Sequence, residues 1–250
     1  MDGTLYVGNR LFDFTLPFLE YIKEIGGKAM FLTNNSSKNV SDYIIKLKNM
    51  GINSQKSDFF TSLDATVCYL NKNHKDKKIY VFGTSSMKNE LADKFNITDV
   101  YSNDVDCLLM GFDTELKFSK LEDACKLLNN GVDYIATNPD LVCPTEYGSV
   151  PDCGSVSEML YNATLRRPLF IGKPAPEMIL FAIKNANMTK EQSIVIGDRL
   201  HTDIASGINA KITTALVLSG ESQICDIENS TYKPDFVFKN IGELHEKLRF

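Results

Sequence analysis

Apolar positions along this chain recur at two spacings. Phe18, Leu19, Ile22 and Ile25 repeat at helical spacing, with Pro17 near the start and Gly26-Gly27 as the stop. Residues 28–32 then form a short apolar run ending at Thr33, which predicts a buried strand. Ser41 can cap a second helix that carries Ile44 and Leu47 and closes at Gly51, while Leu63, Val67 and Leu70 mark a third. Strands are expected at 79–82, 107–110 and 134–136, with a helix through Leu121, Ala124, Cys125 and Leu128 before the last of them.

The later part repeats the alternation. A strand at 169–171 runs into Gly172-Lys173-Pro174, followed by a helix through Ile179, Ala182, Ile183 and Ala186. A strand at 193–196 enters Gly197-Asp198, residues 204–210 read as helix, 213–218 and 236–238 as strands, and 241–248 as a closing helix. Strands alternating with helices and few hairpin signals predict parallel βαβ units, so the fold class is α/β. Polar clusters close the apolar strands before about residue 60 and after about residue 168, and the stretch between has its own alternation. A core interrupted by an insert is therefore expected: core over 1–76, insert over 77–168, core again over 169–250.

Composition narrows the partners. A formal net charge of −5 and the lack of a clustered basic face argue against nucleic acid. The six cysteines contain no C-x-x-C pair, and none of the three histidines has ligand spacing to a cysteine, so a zinc site is not expected. No apolar run reaches membrane-spanning length, and no basic segment followed by an apolar one opens the chain. The expectation is a cytoplasmic protein with reduced thiols and no membrane partner.

In open parallel sheets ligands bind outside the carboxyl ends of the strands. Thr33, Lys173 and Asp198 each follow an apolar run directly, so all three should gather on one edge. Asp198 and Asp203 suit a hard cation such as Mg²⁺, which takes oxygen ligands and commonly uses one or two carboxylates plus a substrate phosphate. Asp198 is the better direct ligand; Asp203 could orient bound waters, or simply be an acid favoured in a first helical turn. Thr33 and Asn34, ahead of Ser36, Ser37 and Ser41, could hold phosphate oxygens through hydroxyl, amide and backbone N–H groups, although helix capping explains the same residues. Lys173 could neutralise phosphate charge. Neither G-x-x-x-x-G-K-[ST] nor G-x-G-x-x-G occurs, which removes a nucleotide P-loop and a dinucleotide fingerprint from consideration.

Together MDGTLY, FLTNNSS, IGKPAPE and VIGDRLHTD resemble, in order, the motif set of the haloacid dehalogenase superfamily: D-x-D-G-T, then Ser or Thr, then Lys, then G-D-x-x-x-x-D. Ala136-Thr137-Asn138-Pro139-Asp140 in the insert looks like the branch with a large α/β cap, which includes NagD-like and 4-nitrophenyl phosphatases. The resemblance implies a Rossmann-like core with strand order 5-4-1-2-3, an inserted cap, and Mg²⁺-dependent hydrolysis of small phosphorylated metabolites through an aspartyl-phosphate. It implies Asp2 as acid–base and, by its backbone carbonyl, metal ligand. Thr33 and Asn34 would bind phosphate, Lys173 would balance charge, Asp198 would ligate the metal and Asp203 would support it. Asn138 and Asp140 are expected to face substrate from the cap, with a turn at Asn-Pro-Asp as the plainer reading. A homodimer is compatible with the branch. The pattern's first aspartate, the nucleophile, and the central strand leading to it should stand directly before Met1. For residues 1–250 as they stand the expectation is therefore no turnover and weakened Mg²⁺ binding, the alternative being a phosphate-ligand binder that has lost catalysis.

Overall fold

The computed structural model describes residues 1–36, 39–145 and 147–249, apart from the side chain of Pro144. From the start of the chain come β1 (Tyr6–Val7), β2 (Arg10–Leu11), α1 (Thr15–Glu24), β3 (Phe31–Thr33), α2 (Val40–Asn49) and β4 (Phe59–Thr61). Then follow α3 (Ser62–Asn73), β5 (Lys78–Phe82), α4 (Ser85–Ala92), β6 (Asn96–Thr98), β7 (Cys107–Met110), α5 (Phe118–Asn129) and β8 (Asp133–Ala136). Next are β9 (Val142–Thr145), β10 (Gly148–Pro151), α6 (Cys153–Thr164), β11 (Leu169–Phe170) and α7 (Glu177–Ala186). The chain closes with β12 (Ile194–Gly197), α8 (Ala205–Ala210), β13 (Thr213–Val217), α9 (Ile224–Asn229), β14 (Phe236–Phe238) and α10 (Ile241–Leu248).

The chain divides into two compact units. The first holds Met1–Thr33, Val40–Phe60 and the chain from Lys173 on. Its strands β12, β13 and β14 form a parallel sheet in that order, β3 pairs with β4, and β1 pairs with β2 as an antiparallel hairpin. Phe18 and Leu19 of α1, Tyr43 and Leu47 of α2, Phe31, Phe59, Ile241 and Leu244 share one buried core. Helical spacing places the α1 and α2 residues on single faces, and the Phe31 and Phe59 rings meet at 5.2 Å between centroids. Among the described residues no pairing joins β12 to β3. The strand read at 28–32 is shorter and later, because β3 is paired only over Phe31–Thr33. Ser41 does not cap α2; the helix begins at Val40, so Ser41 lies inside it and is exposed.

The second unit holds Asn34–Asn39 and Thr61–Gly172 around a five-stranded parallel sheet, order β11-β8-β7-β5-β6. Its central strands are near-continuous apolar runs, as expected of a sheet covered on both faces: Cys107, Leu108, Leu109 and Met110 are all fully buried. Leu127 and Leu128 of α5 and Val156 and Leu160 of α6 pack on Leu108 and Met110. Thr61 opens α3 with a capping box, accepting from the Asp64 N–H while its own N–H donates to the Asp64 carboxylate. Helix α3 and strand β11 belong to the second unit, β11 because Leu169 and Phe170 pair in register with Ile135 and Ala136 of β8.

Among the described residues no helix is long and apolar enough to cross a membrane. Burial pushes the Cys107 and Cys153 thiols up to about 12, which removes them as nucleophiles near neutral pH.

Candidate active site

In the first unit β12 and β13 run parallel, so Gly197-Asp198 and Ser219-Gly220-Glu221 leave the sheet at the same carboxyl edge. The Asp198 carboxylate, 4% exposed, is held from three sides. The buried Thr4 hydroxyl donates to its Oδ1 at 3.2 Å, and the Glu221 N–H donates to its Oδ2 at 3.0 Å. The third side is glycine. Gly3 has φ +77° and a Cβ there would lie 2.2 Å from Asp198 Oδ2; at Gly220 a Cβ would lie 2.1 Å from the same atom. Two backbones thus approach the carboxylate as closely as only glycine permits. Ser219 fastens them together, its hydroxyl donating to the Gly3 carbonyl at 2.7 Å.

Lys173 begins the segment after the second unit and is buried. Its Nζ reaches Asp203 Oδ1 at 2.6 Å, with both side chains largely out of water. Asp203 sits on a π-helical turn, Leu200–Ile204, that follows β12; its Oδ2 accepts from the Arg199 N–H at 3.3 Å. The Arg199 guanidinium in turn pairs with Glu221 at 2.8 Å. The electrostatics of the two acids diverge. Burial, and then the Asp203 charge, push Asp198 above the usual carboxylate range against the pull of the Met1 amino group and the Glu221 N–H. Burial would raise Asp203 too, but the charge and hydrogen bond of Lys173, with the Met1 amino group and Arg199, outweigh it and hold Asp203 below that range. The Met1 amino group is itself buried within reach of Asp203, Lys173, Asp198 and Asp2.

Asp2, by contrast, is exposed, on a turn whose backbone bridges to Tyr6. Thr33 ends β3 in the same unit. Asp2, Thr33, Lys173, Asp198 and Asp203 thus all belong to the first unit, and Lys173, Asp198 and Asp203 with Met1 form one electrostatic cluster. Asn34, Asn138 and Asp140 belong to the second unit, where they bond to one another. The Asn34 amide donates to Asp140 Oδ1 at 3.1 Å, the Asn138 amide donates to the Asn34 carbonyl at 2.9 Å, and the Asp140 N–H donates to Asn138 Oδ1 at 3.0 Å. Asn138, expected to face substrate, is fully buried in this arrangement. Ser37 lies outside the described residues.

The donors around Asp198 fit a hard cation. A buried carboxylate whose charge is under-compensated, with one hydrogen bond on each oxygen and lone pairs left over, calls for a positive partner. Among the described residues no three His, Cys, Asp or Glu converge as a protein cage. Mg²⁺ does not need one, since it keeps waters and shares its sphere with substrate oxygens. Sequence reasoning missed Thr4 and the 219–221 loop as partners of Asp198. The loop follows β13 directly, so the rule that found Asp198 after β12 points to it as well.

Comparison with known proteins agrees with this architecture. The haloacid dehalogenase-like hydrolase family model matches residues 1–95, and a second, HAD-hydrolase-like, matches residues 170–244. An acid sugar phosphatase of Staphylococcus aureus is 32% identical over 99% of this chain and 95% of its own length. The crystal structure of a 4-nitrophenylphosphatase from Thermotoga maritima superposes with TM-score 0.91 at 38% identity, covering 98% of this chain and 94% of that one. A glycerol phosphate phosphatase from Mycobacterium tuberculosis, solved in complex with magnesium, gives TM-score 0.91 at 25% identity over 98% of this chain and 74% of that one. This chain belongs to the haloacid dehalogenase-like hydrolases, in their NagD-like, 4-nitrophenyl phosphatase-like branch.

Proposed function

We propose that this protein is a Mg²⁺-dependent phosphatase of small phosphate monoesters. The observation that carries the reading is the clustering of Lys173, Asp198 and Asp203 at one strand edge, beside the turn that holds Asp2 and Thr4. Mg²⁺, held by the Asp198 carboxylate and the Asp2 backbone carbonyl, would offset the negative charge of the phosphoryl group. Thr33 would donate its hydroxyl to a phosphoryl oxygen, and Asn34 would add a donor beside it. Lys173, fixed by Asp203, would neutralise the same oxygens and the attacking carboxylate. That carboxylate belongs to the aspartate that the family pattern places on the residue joined to Met1. It attacks phosphorus as the ester oxygen leaves with a proton from Asp2; Asp2 then takes a proton from water as the acyl phosphate is hydrolysed and phosphate departs. Exposure leaves the Asp2 side chain able to reach both leaving group and water.

The test is phosphate release from 4-nitrophenyl phosphate and a panel of metabolite monoesters by the full-length protein, with Mg²⁺ and after chelation. Turnover that needs the cation is expected. No release from any ester at saturating Mg²⁺, in a protein carrying aspartate before Met1, would overturn the reading.

Gly220→Ala gives a sharper check on geometry. Its Cβ would overlap Asp198 Oδ2, so the carboxylate or the loop must shift by about an ångström, the scale of displacement that costs on the order of 10²-fold in rate. The expected result is a loss of that size in kcat, together with a higher Mg²⁺ requirement, read from metal titrations of activity.

A further inference from the structure

The second unit carries a buried polar knot with no evident packing purpose. Asn138 and Ser62 both donate to the Asn34 carbonyl, at 2.9 and 2.6 Å, and the Asn34 amide donates to Asp140. Ser62, Thr137 and Asn138 are fully buried, and Asn34 nearly so. Gly172 completes the knot: its N–H donates to the Thr137 carbonyl at 2.8 Å, and a Cβ on it would lie 2.7 Å from Asn34 Oδ1. A small apolar core would be cheaper than four buried polar side chains, since each must be satisfied by a partner. Such a cluster persists where it fixes something.

What it fixes follows from chain continuity. Asn34 is the residue after Thr33, and Gly172 is the residue before Lys173. The knot therefore clamps the chain immediately beside both cationic and hydroxyl phosphate groups of the proposed site. We infer that Asn138 and Asp140 are positioning residues: by holding Asn34 against Gly172 they fix where Thr33 and Lys173 leave the second unit. This differs from the expectation that they touch substrate, and it rests on the phosphatase reading for the roles of Thr33 and Lys173. Asp140 acts through the Asn34 amide, and Asn138 through the Asn34 carbonyl. The Asp140 N–H to Asn138 Oδ1 bond sets the orientation of the Asn138 amide.

The experiment compares Asp140→Ala with Asp140→Asn in the full-length protein. Asparagine keeps an oxygen that accepts from the Asn34 amide; alanine does not. The alanine variant should lose roughly 10- to 100-fold in kcat by misplacing the phosphate-binding groups. The loss should be the same for esters of different leaving groups, with little change in KM ratios among them, and asparagine should restore most of it. Asn138→Ala should behave as Asp140→Ala. A loss confined to some esters and lodged in KM would mean that Asp140 touches the leaving group, and would overturn the inference. So would an alanine variant with unchanged kcat. Should the unmodified protein hydrolyse no ester, the phosphatase reading fails by itself. Calorimetric titration with inorganic phosphate then decides the positioning: at least tenfold weaker binding in Asp140→Ala, restored in Asp140→Asn, supports it, and equal binding in all three proteins overturns it.

Discussion

Replacing Asp198 with asparagine is expected to stop hydrolysis while leaving the metal-free protein at least as stable as before. The two effects share one cause. The carboxylate is buried beside another acid, and its charged form is disfavoured until a cation arrives. Its pKa in the folded protein lies above its unfolded value, so its contribution to stability is full below the ordinary carboxylate range. That contribution is lost as pH rises through the raised value. Near neutral pH the metal-free protein therefore carries a cost that asparagine removes. The amide also keeps the contacts: its oxygen can accept from the Glu221 N–H, and its NH₂ can donate to the Thr4 hydroxyl. Catalysis behaves oppositely, because several kcal/mol of charge stabilisation disappear with the metal, a rate loss of roughly 10²–10⁴-fold. Thermal unfolding provides the check. At a hundredfold excess of Mg²⁺ over its Kd, unmodified protein should gain roughly 5–10 °C in Tm by mass action. Asp198→Asn should gain none, and an equal Mg²⁺-induced rise in both proteins would remove Asp198 from the metal site.

Much of the α/β architecture could be read in the sequence because its buried strands carry their own signal. Residues 107–110 are apolar at every position, and the sheet covers them on both faces. Hairpins gave less. β1 and β2 are two residues each, too short for any period, although the Gly8-Asn9 pair between them is a two-residue hairpin signal. In β9, Pro144 argues against a strand, and β10 is largely exposed, so neither alternates. Helix α6 went unnamed because Gly154, Ser155 and Ser157 dilute its apolar face. Its start is set by the buried Asp152, whose side chain accepts from the Cys153 N–H.

The site divides along the same line. The places of Thr33 at the end of β3, Asp198 directly after β12 and Lys173 three residues after β11 were legible from the apolar runs before them. The contacts that give them their properties were not, because they are made by backbone atoms or across long separations. Glu221 serves Asp198 through its N–H, which any residue but proline would supply. Thr4 and Asp198 are 194 residues apart, and Lys173 and Asp203 thirty. Asn138 and Asp140 are the instructive pair: the resemblance implied substrate contact and a turn was the plainer reading, and neither showed the hydrogen bond that each of them makes with Asn34.

The Lys173–Asp203 pair should show the largest effect on stability. Lys173→Met removes the cation and leaves Asp203 buried without its strongest partner, since the Arg199 N–H supplies only a long bond at 3.3 Å. Breaking a buried pair from one side typically costs about 3–5 kcal/mol, here a fall of roughly 6–20 °C in Tm. Adding Asp203→Leu removes the stranded charge and should recover most of the loss, so the two substitutions are strongly non-additive. Activity should not return in the double variant, because the phosphoryl group still lacks its lysine, worth on the order of 10²–10³-fold. The pH dependence separates charge from packing. Lys173 holds the Asp203 pKa below its unfolded value, so the stability it confers is present above the ordinary carboxylate range. That stability is lost as pH falls through the depressed value. The gap in Tm between unmodified protein and Lys173→Met should therefore narrow in acid as Asp203 becomes neutral. A gap that stays constant with pH, or a double variant no more stable than Lys173→Met, would assign Lys173 a packing role only.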